Sequence, residues 1–307
     1  MRAAFILLGG LVASLITVGL WAWTPDRSRS DLNAKYLGES SRYREVAGTT
    51  LRIRESGSSS APAILLIHGF GSSLETWEAW AQALSTHYRV LRFDLPGCGL
   101  SPADRTGDYH DARSLTLINS LMDQEGIDRA VLVGNSMGGR IAWKFAAESP
   151  SRVSKLVLIS PDGFASPGFD YGKPPQVPAV FKLMKYFLPK ALVRSNLAAA
   201  YADPARPTGA ELDRYYDLLL APGNRGAMID RMQQLILEDP VPLLRHIEVP
   251  VLLVWGEQDR LIPYANAADY MRVLPNAALV SFPHLGHVPH EESPAESLPP
   301  LERFLEK

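Results

Sequence analysis

The feature that most constrains the fold of this chain is a regular alternation of short apolar runs with longer amphipathic segments. The runs cover residues 64–68, 88–94, 130–134, 153–160, 251–256 and 278–282. They are apolar on both faces, as the central strands of a parallel sheet require. Between them, helices are predicted near 75–85, 111–126, 137–148, 264–274 and 294–306, and residues 43–55 predict a hairpin broken at Gly48. The pattern therefore predicts an α/β fold with an open, mostly parallel sheet and helices on both faces.

One stretch interrupts this alternation, because residues 161–246 contain many prolines and helix formers and no convincing strand. We predict a helical cap (lid) over the carboxyl ends of the strands, where open α/β sheets bind ligands. The chain then divides into an N-terminal anchor and linker (1–42), an α/β core (43–160 and 247–307) and the cap (161–246).

Residues 177–188 of this predicted cap carry apolar side chains at three- and four-residue spacing. Several basic residues accompany them, and no acidic residue occurs between Tyr171 and Tyr201. Two interpretations stay open. The apolar stripe packs on the core with its lysines in water, or the basic, apolar surface contacts an anionic bilayer or guides a lipid tail inward.

The N-terminus predicts a transmembrane helix, because the 21 residues from Ala3 to Trp23 carry no charge. At about 1.5 Å per residue such a helix spans about 30 Å, the thickness of a bilayer's hydrocarbon core. The run is longer than a secretory signal's apolar region, which favours an uncleaved anchor. The pairs Gly9/Ala13 and Gly10/Ser14 have the small-xxx-small spacing that lets two such helices form a homodimer. Residues 24–42 are polar and predict a linker.

Composition excludes several classes of protein. The chain has 31 Lys plus Arg against 33 Asp plus Glu, a net charge of −2, which predicts no nucleic-acid partner. Cys98 is the single cysteine, so the chain has no intrachain disulfide and no cysteine-rich metal site.

A nucleophilic serine is indicated by the segment Gly134-Asn135-Ser136-Met137-Gly138-Gly139, which follows the apolar run AVLV and precedes a helical segment. G-x-S-x-G between a strand and a helix is the nucleophile elbow, a sharp turn that exposes the serine hydroxyl. Gly134, Gly138 and Gly139 are expected to be glycine because side chains there would collide within the turn.

A serine hydroxyl needs a base, and the base needs an acid that orients it. His287 lies just past the last predicted strand, with His284 and His290 as local alternatives. Asp259 follows the penultimate strand and completes the chain order Ser, Asp, His, with Asp162 and Glu257 as alternatives. The three histidines at 284, 287 and 290 could suggest a metal, but Gly286 and Pro289 argue against helical alignment of their rings, and we predict none.

An oxyanion requires two preorganised amide donors. One is expected to be the Met137 N–H, which follows the nucleophile. The other is expected from the loop His68-Gly69-Phe70-Gly71 after the first parallel strand, and Phe70 is the predicted donor.

With these residues in place, residues 43–307 resemble the α/β-hydrolase superfamily, through HGFG, DLPGCGLS, GNSMGG, WGEQD and GHVPHEE in the expected order. The chain is most similar to membrane-anchored monoacylglycerol lipases and bacterial inner-membrane phospholipases A. That resemblance implies a single-pass inner-membrane protein with a periplasmic or otherwise extracytoplasmic catalytic domain. The charge count across the apolar segment, with Arg2 before it and Arg27, Arg29 and Lys35 after it, leans instead toward a cytoplasmic domain.

We therefore expect a serine carboxylester hydrolase that needs no cofactor and acts on phospholipids, lysophospholipids or monoacylglycerols through an acyl-enzyme. Two alternatives stay open. GNSMGG also resembles the elbow of C–C bond hydrolases of ring-fission products, and a non-catalytic lipid-binding protein could use the same fold.

Overall fold

The computed structural model describes residues 23–165, 170–173 and 175–307. Its strands are β1 (Ser41–Val46), β2 (Thr49–Ser56), β3 (Ala63–Ile67), β4 (Arg89–Phe93), β5 (Ala130–Asn135), β6 (Val153–Ile159), β7 (Val251–Gly256) and β8 (Ala277–Phe282). The α-helices within those residues are α1 (Arg29–Tyr36), α2 (Glu78–Leu84), α3 (Asp111–Gln124), α4 (Met137–Glu148), α5 (Lys190–Ala200), α6 (Gly209–Leu219), α7 (Asn224–Gln234), α8 (Val241–Leu244), α9 (Asn266–Val273), α10 (Pro289–Glu292) and α11 (Pro294–Leu305). Short 3₁₀ helices cover Leu74–Trp77, Pro150–Arg152 and Ala179–Lys185.

The eight strands form one sheet in the order β1-β2-β4-β3-β5-β6-β7-β8. The hairpin β1–β2 lies antiparallel at one edge, and β4, β3, β5, β6, β7 and β8 run parallel. The chain passes from β3 outward to β4 and then returns to β5 on the other side of β3. Such a reversal leaves a crevice between the loops that follow β3 and β5. The predicted mostly parallel sheet is confirmed, and so are the hairpin and the helices between the strands.

Apolar side chains on both faces of the sheet explain why the central strands are so uniformly hydrophobic. Every residue of β3, β4, β5 and β7 is buried. One face packs against α3, α4 and α9, and the other against α2 and α11. Burying both faces removes from water the apolar surface that stabilises the sheet and fixes the positions of the loops at its carboxyl edge.

Helices also form over the carboxyl ends of the strands, in the region predicted to be the cap. The described residues between 161 and 246 include α5, α6 and α7 and no strand. Helix α6 begins with a capping box in which the Thr208 hydroxyl accepts from the Glu211 N–H and the Glu211 carboxylate accepts from the Thr208 N–H. Helices α5 and α6 bury an apolar cluster that includes Val193, Leu197 and Leu212 and reaches Val288 beside His287.

The segment predicted as a polar linker is instead ordered against the rest of the protein. Residues 29–36 form α1, whose Leu32 packs with Leu100, Leu218 and Ala221. The buried Asp217 carboxylate of α6 accepts hydrogen bonds from Lys35 (2.8 Å) and from the hydroxyl of Tyr36 (2.9 Å). Sequence polarity suggested a linker because only one residue of this helix is deeply buried.

The predicted apolar stripe of residues 177–188 is divided between interior and surface. Leu188 is buried and Met184 is half-buried, whereas Val180 is 63% and Leu183 is 51% exposed. The predicted membrane anchor lies outside the described residues except at Trp23, and so does its proposed dimerisation. Within residues 23–165, 170–173 and 175–307, none of the helices has the length and apolarity that crossing a bilayer demands.

Candidate active site

Ser136 occupies a strained turn between β5 and α4. Its φ of 54° and ψ of −121° lie in a region that residues with a side chain rarely adopt. A Cβ added to Gly134 would lie 2.2 Å from the Gly138 carbonyl oxygen, and one added to Gly138 would lie 2.2 Å from that of Ile67. A Cβ at Gly139 would lie 2.9 Å from Pro161. The turn therefore requires the predicted glycines for steric reasons.

His287 and Asp259 meet in the loops after β8 and β7. His287 Nδ1 lies 2.8 Å from Asp259 Oδ2, and both side chains are buried. The other carboxylate oxygen, Oδ1, accepts from the backbone N–H groups of Leu261 (2.8 Å) and Ile262 (2.9 Å). Because the carboxylate accepts at Nδ1, the imidazole carries its proton there and leaves Nε2 as the basic nitrogen.

Three backbone contacts fix the loop that carries His287. The His287 N–H donates to the Ala200 carbonyl at the end of α5 (2.7 Å), and Asn135 Nδ2 donates to the His287 carbonyl (3.0 Å). The Gly286 N–H donates to the buried Glu292 carboxylate (2.7 Å). Sequence reasoning missed the roles of Asn135 and Glu292, although Asn135 lies inside the nucleophile motif itself.

Ser136 and His287 line the same cavity of about 350 Å³. No hydrogen bond joins the Ser136 hydroxyl to His287 within the part of the chain that the structure describes. Catalytic hydrogen bonds are often longer in a ligand-free enzyme and shorten once substrate is bound. The structure thus joins Asp259 to His287 directly and places the serine on the same cavity wall.

The loop after β3 approaches the elbow closely, because a Cβ on Gly69 would lie 2.9 Å from Asn135 Oδ1 and 3.2 Å from Ser136 Cβ. The next residue is Phe70, which lines the cavity with Ser136. Neither the Phe70 N–H nor the Met137 N–H donates a hydrogen bond to any residue that the structure describes. Both predicted amide donors are therefore available to an incoming oxygen.

His68 supports the loop after β3 through two hydrogen bonds, a role that sequence reasoning did not assign. Its Nε2 accepts from the Leu95 N–H (3.0 Å), so its Nδ1 proton faces the Gly69 carbonyl at 2.8 Å. Complete burial lowers the pKa of His68 to about 4, so the ring stays neutral near pH 7 and keeps both hydrogen bonds.

The residues named above as alternative acids and bases have other surroundings. The Asp162 carboxylate pairs with Arg140, and Glu257 accepts from the Ser281 hydroxyl (2.7 Å). His284 is exposed, whereas His290 is buried and stacks on the Trp77 ring at 4.1 Å. In the described ranges no group of three His, Cys, Asp or Glu side chains is arranged to hold a metal ion.

The cavity is suited to an apolar ligand. The residues that line it include no Lys, Arg, Asp or Glu. Its lining is mostly apolar and includes Met184, Leu188, Val193, Leu197, Leu219 and Val288, with polar contributions from Ser72, Asn196 and Tyr215. The arrangement places the serine, the oriented imidazole and Phe70 on the wall of an uncharged cavity, with the free Met137 N–H on the residue that follows the serine.

Comparison with known proteins gives a family for this arrangement. A family model described as the alpha/beta hydrolase fold matches residues 62–294. The chain is 28% identical to a 2-hydroxy-6-oxo-6-phenylhexa-2,4-dienoate hydrolase of Burkholderia cepacia, covering 78% of this chain and 86% of that one. It is 25% identical to Lipase 1 of Psychrobacter immobilis, covering 87% and 82%. The solved structure of a bacterial membrane phospholipase A, described as a virulence factor, superposes with a TM-score of 0.74 at 26% identity, covering 100% and 98%.

Proposed function

Because the chain belongs to the α/β-hydrolase family, we propose that it is a serine carboxylester hydrolase that acts on acyl lipids at a membrane. The observation that carries the proposal is the Asp259–His287 hydrogen bond beside the strained Ser136 turn. A lipase and a membrane phospholipase A among the similar proteins support the choice of a lipid ester.

In the proposed reaction the Ser136 hydroxyl attacks the ester carbonyl carbon while His287 Nε2 accepts the hydroxyl proton. Asp259 holds the ring in this tautomer and stabilises the imidazolium that forms. The Phe70 and Met137 N–H groups donate to the oxyanion of the tetrahedral intermediate. His287 then gives the proton to the leaving alcohol, and water activated by the same nitrogen hydrolyses the acyl-enzyme. The reaction needs no cofactor.

A second part of the proposal concerns the membrane. A surface that we name the cap patch consists of the exposed apolar residues Val180, Leu183, Tyr186 and Leu192 with the basic residues Lys182, Lys185, Lys190 and Arg194. Trp23, where the described chain begins, stacks on Tyr186 with ring centroids 5.5 Å apart. Trp23 is the last residue of the uncharged run, and its contact with the cap patch supports a bilayer as the patch's partner. Exposed apolar side chains accompanied by Lys182 and Lys185 match an anionic membrane surface, whereas Lys190 is paired with Asp213.

The proposal also includes a single-pass membrane anchor at the N-terminus and an extracytoplasmic position for the catalytic domain. The patch can be tested on the full chain reconstituted into anionic vesicles, with a fluorophore attached through Leu183→Cys in a Cys98→Ser background. We expect brominated lipids to quench this fluorophore strongly. The matched control is Met271→Cys, at an exposed apolar residue on α9 of the core, and its fluorophore should not be quenched. Equal quenching at the two positions, or none at either, would contradict a membrane-facing cap.

The activity itself is tested with a panel of short esters, monoacylglycerols and phospholipids, together with labelling by a fluorophosphonate probe. Ser136→Ala should abolish labelling and lower turnover by several orders of magnitude, about 10⁶ in a well-studied serine hydrolase. Ser195→Ala, at an exposed serine of α5, is the matched control and should retain both. Esterase activity that survives Ser136→Ala would refute the assignment.

The second candidate is a C–C bond hydrolase, which the similarity to the Burkholderia cepacia enzyme favours. A paired assay of a dienoate ring-fission product against a fatty-acyl ester separates the two, since each candidate predicts the opposite preference. A non-catalytic lipid-binding protein predicts no turnover of either compound and no probe labelling.

A further inference from the structure

A second cavity, of about 460 Å³, opens onto Ser136 from another direction. Phe70, Ser136 and Leu261 line both cavities, whereas His287 lines only the first. Ser136 therefore lies where the two cavities meet. An ester bound at the serine has two halves, and this geometry offers each half its own cavity.

The two cavities differ in charge. The first has no charged side chain in its wall apart from the titratable His287, whereas Arg140, Asp162 and Arg231 line the second. Arg140 is neutralised, since it pairs with the carboxylates of Asp111 and Asp162. The charge that remains in the second cavity belongs to Arg231, which also lines an adjoining cavity beside Tyr109.

Arg231 is only 6% exposed, and no carboxylate of the residues that the structure describes forms an ion pair with it. Its Nη2 donates to the Pro96 carbonyl (2.7 Å), and its guanidinium lies over the Tyr109 ring, 4.9 Å from the centroid. Both contacts hold the group in position, and neither supplies a negative charge. A buried charge is costly unless a counter-charge compensates it, so the Arg231 guanidinium favours an anionic ligand.

We propose that Arg231 binds the phosphate of the substrate's alcohol half, so that the preferred substrates are acyl esters of glycerophosphate, such as lysophospholipids. This inference rests on the proposed function. The acyl chain occupies the first cavity because its wall has no Lys, Arg, Asp or Glu and is mostly apolar, which leaves the second cavity to the head group. A guanidinium suits this role because it stays charged and can donate two parallel hydrogen bonds to one phosphate.

The test compares two substrates that share the acyl chain and the scissile ester, 1-oleoylglycerol and 1-oleoylglycerol 3-phosphate, in micelles of one detergent. The measured quantity is the ratio of kcat/KM for the phosphate ester to that for the neutral ester. Arg231→Met should lower this ratio by about 10- to 100-fold, the usual range for losing hydrogen bonds to a charged group. Arg231→Lys should restore part of it, because lysine keeps the charge but not the paired donors.

The matched control is Arg303→Met on the exposed surface of α11, away from the cap patch, which removes one positive charge far less buried than Arg231. The ratio of this control variant should equal that of the wild type. If a basic surface merely attracted the anionic substrate, the control would lower the ratio as well. Activity on the neutral ester reports whether the Arg231 variants are folded.

An equal fall on both substrates would overturn the inference, because a residue that merely supports the Pro96 loop predicts that result. An unchanged ratio would overturn it too. If the wild type and the Arg231 variants hydrolyse the neutral ester equally well, the proposed function stands, whatever the ratio for the phosphate ester shows. Wild-type protein that hydrolyses neither ester overturns the proposed function and this inference together.

Discussion

The burial of His290 should make the stability of the folded protein depend on pH. The His290 ring is 1% exposed, stacks on Trp77 and lies 3.1 Å from the Thr76 hydroxyl through Nε2. Its other nitrogen, Nδ1, is buried without a hydrogen bond in the described part of the protein. Burial, assisted by the nearby His287, lowers the pKa of His290 to about 3.

The sign of the effect follows from proton linkage. Below pH 6.5 the unfolded chain protonates this histidine, whereas the folded protein keeps it neutral until about pH 3. Stability therefore rises with pH in this window and falls on acidification, by about 1.4 kcal/mol per pH unit. Between pH 8 and pH 5 the contribution of His290 to the free energy of unfolding falls by about 2 kcal/mol.

Other buried groups titrate between pH 8 and pH 5. The prediction therefore concerns the difference in stability between the wild type and a His290 variant. Burial lowers the pKa of His68 to about 4, which acts in the same direction, and raises that of Asp94 to about 6, which acts against it. Both contributions cancel when the wild type is compared with His290→Gln. The variant should be less stable at pH 8 by about 1 kcal/mol, because it loses the aromatic stack. The gap should close or reverse by pH 5.

The assay is equilibrium urea unfolding of the full chain in a non-denaturing detergent, followed by tryptophan fluorescence at pH 8 and pH 5. The matched control is His284→Gln, because His284 is exposed in the same loop. Its stability difference from the wild type should be the same at both pH values. A stability gap for His290→Gln that is equal at pH 8 and pH 5 would refute the reasoning.

Two further predictions concern the active site. Asp259→Asn should slow turnover of a short-chain ester by about 10⁴-fold, since the amide no longer holds the base in its tautomer. Glu257→Gln, two residues away, should leave turnover unchanged, and a similar loss in both variants would count against Asp259 as the acid. Gly138→Ala should destabilise the protein by about 1–3 kcal/mol in urea unfolding, because its Cβ would lie 2.2 Å from the Ile67 carbonyl oxygen. Gly209→Ala, where nothing lies within 4 Å, serves as its control, and equal unfolding midpoints for the two variants would contradict the steric argument.

The sheet was predictable because parallel strands buried on both faces leave a local signal that few other structures produce. The runs around β3, β5 and β7 are almost uninterrupted apolar sequence, which loops and surface helices do not tolerate. The nucleophile turn was predictable for a similar reason. At Gly134, Gly138 and Gly139 an added Cβ would lie within 3 Å of another atom, so only glycine fits. The sequence therefore reports this steric requirement directly.

The sequence said less about segments whose environment depends on contacts with residues far along the chain. Helix α1 contains one buried residue, Leu32, and its attachment depends on Asp217, 182 positions from Lys35. The apolar stripe of residues 177–188 looked continuous, yet Val180 and Leu183 face outward while Leu188 faces inward. Periodicity reports which residues share a face of a helix and does not report what covers that face.

The sequence alone thus determined the α/β sheet, the glycine turn around Ser136 and the candidate acid and base, because each follows from local sterics or from chain order. Only the tertiary structure decided that Asp259 contacts His287, that Asp162 is held by Arg140 instead, and that two cavities of different charge meet at the serine. Those outcomes depend on distances between residues far apart in the chain. Such distances are set by how the loops and the cap pack on the sheet, and no spacing along the sequence encodes them.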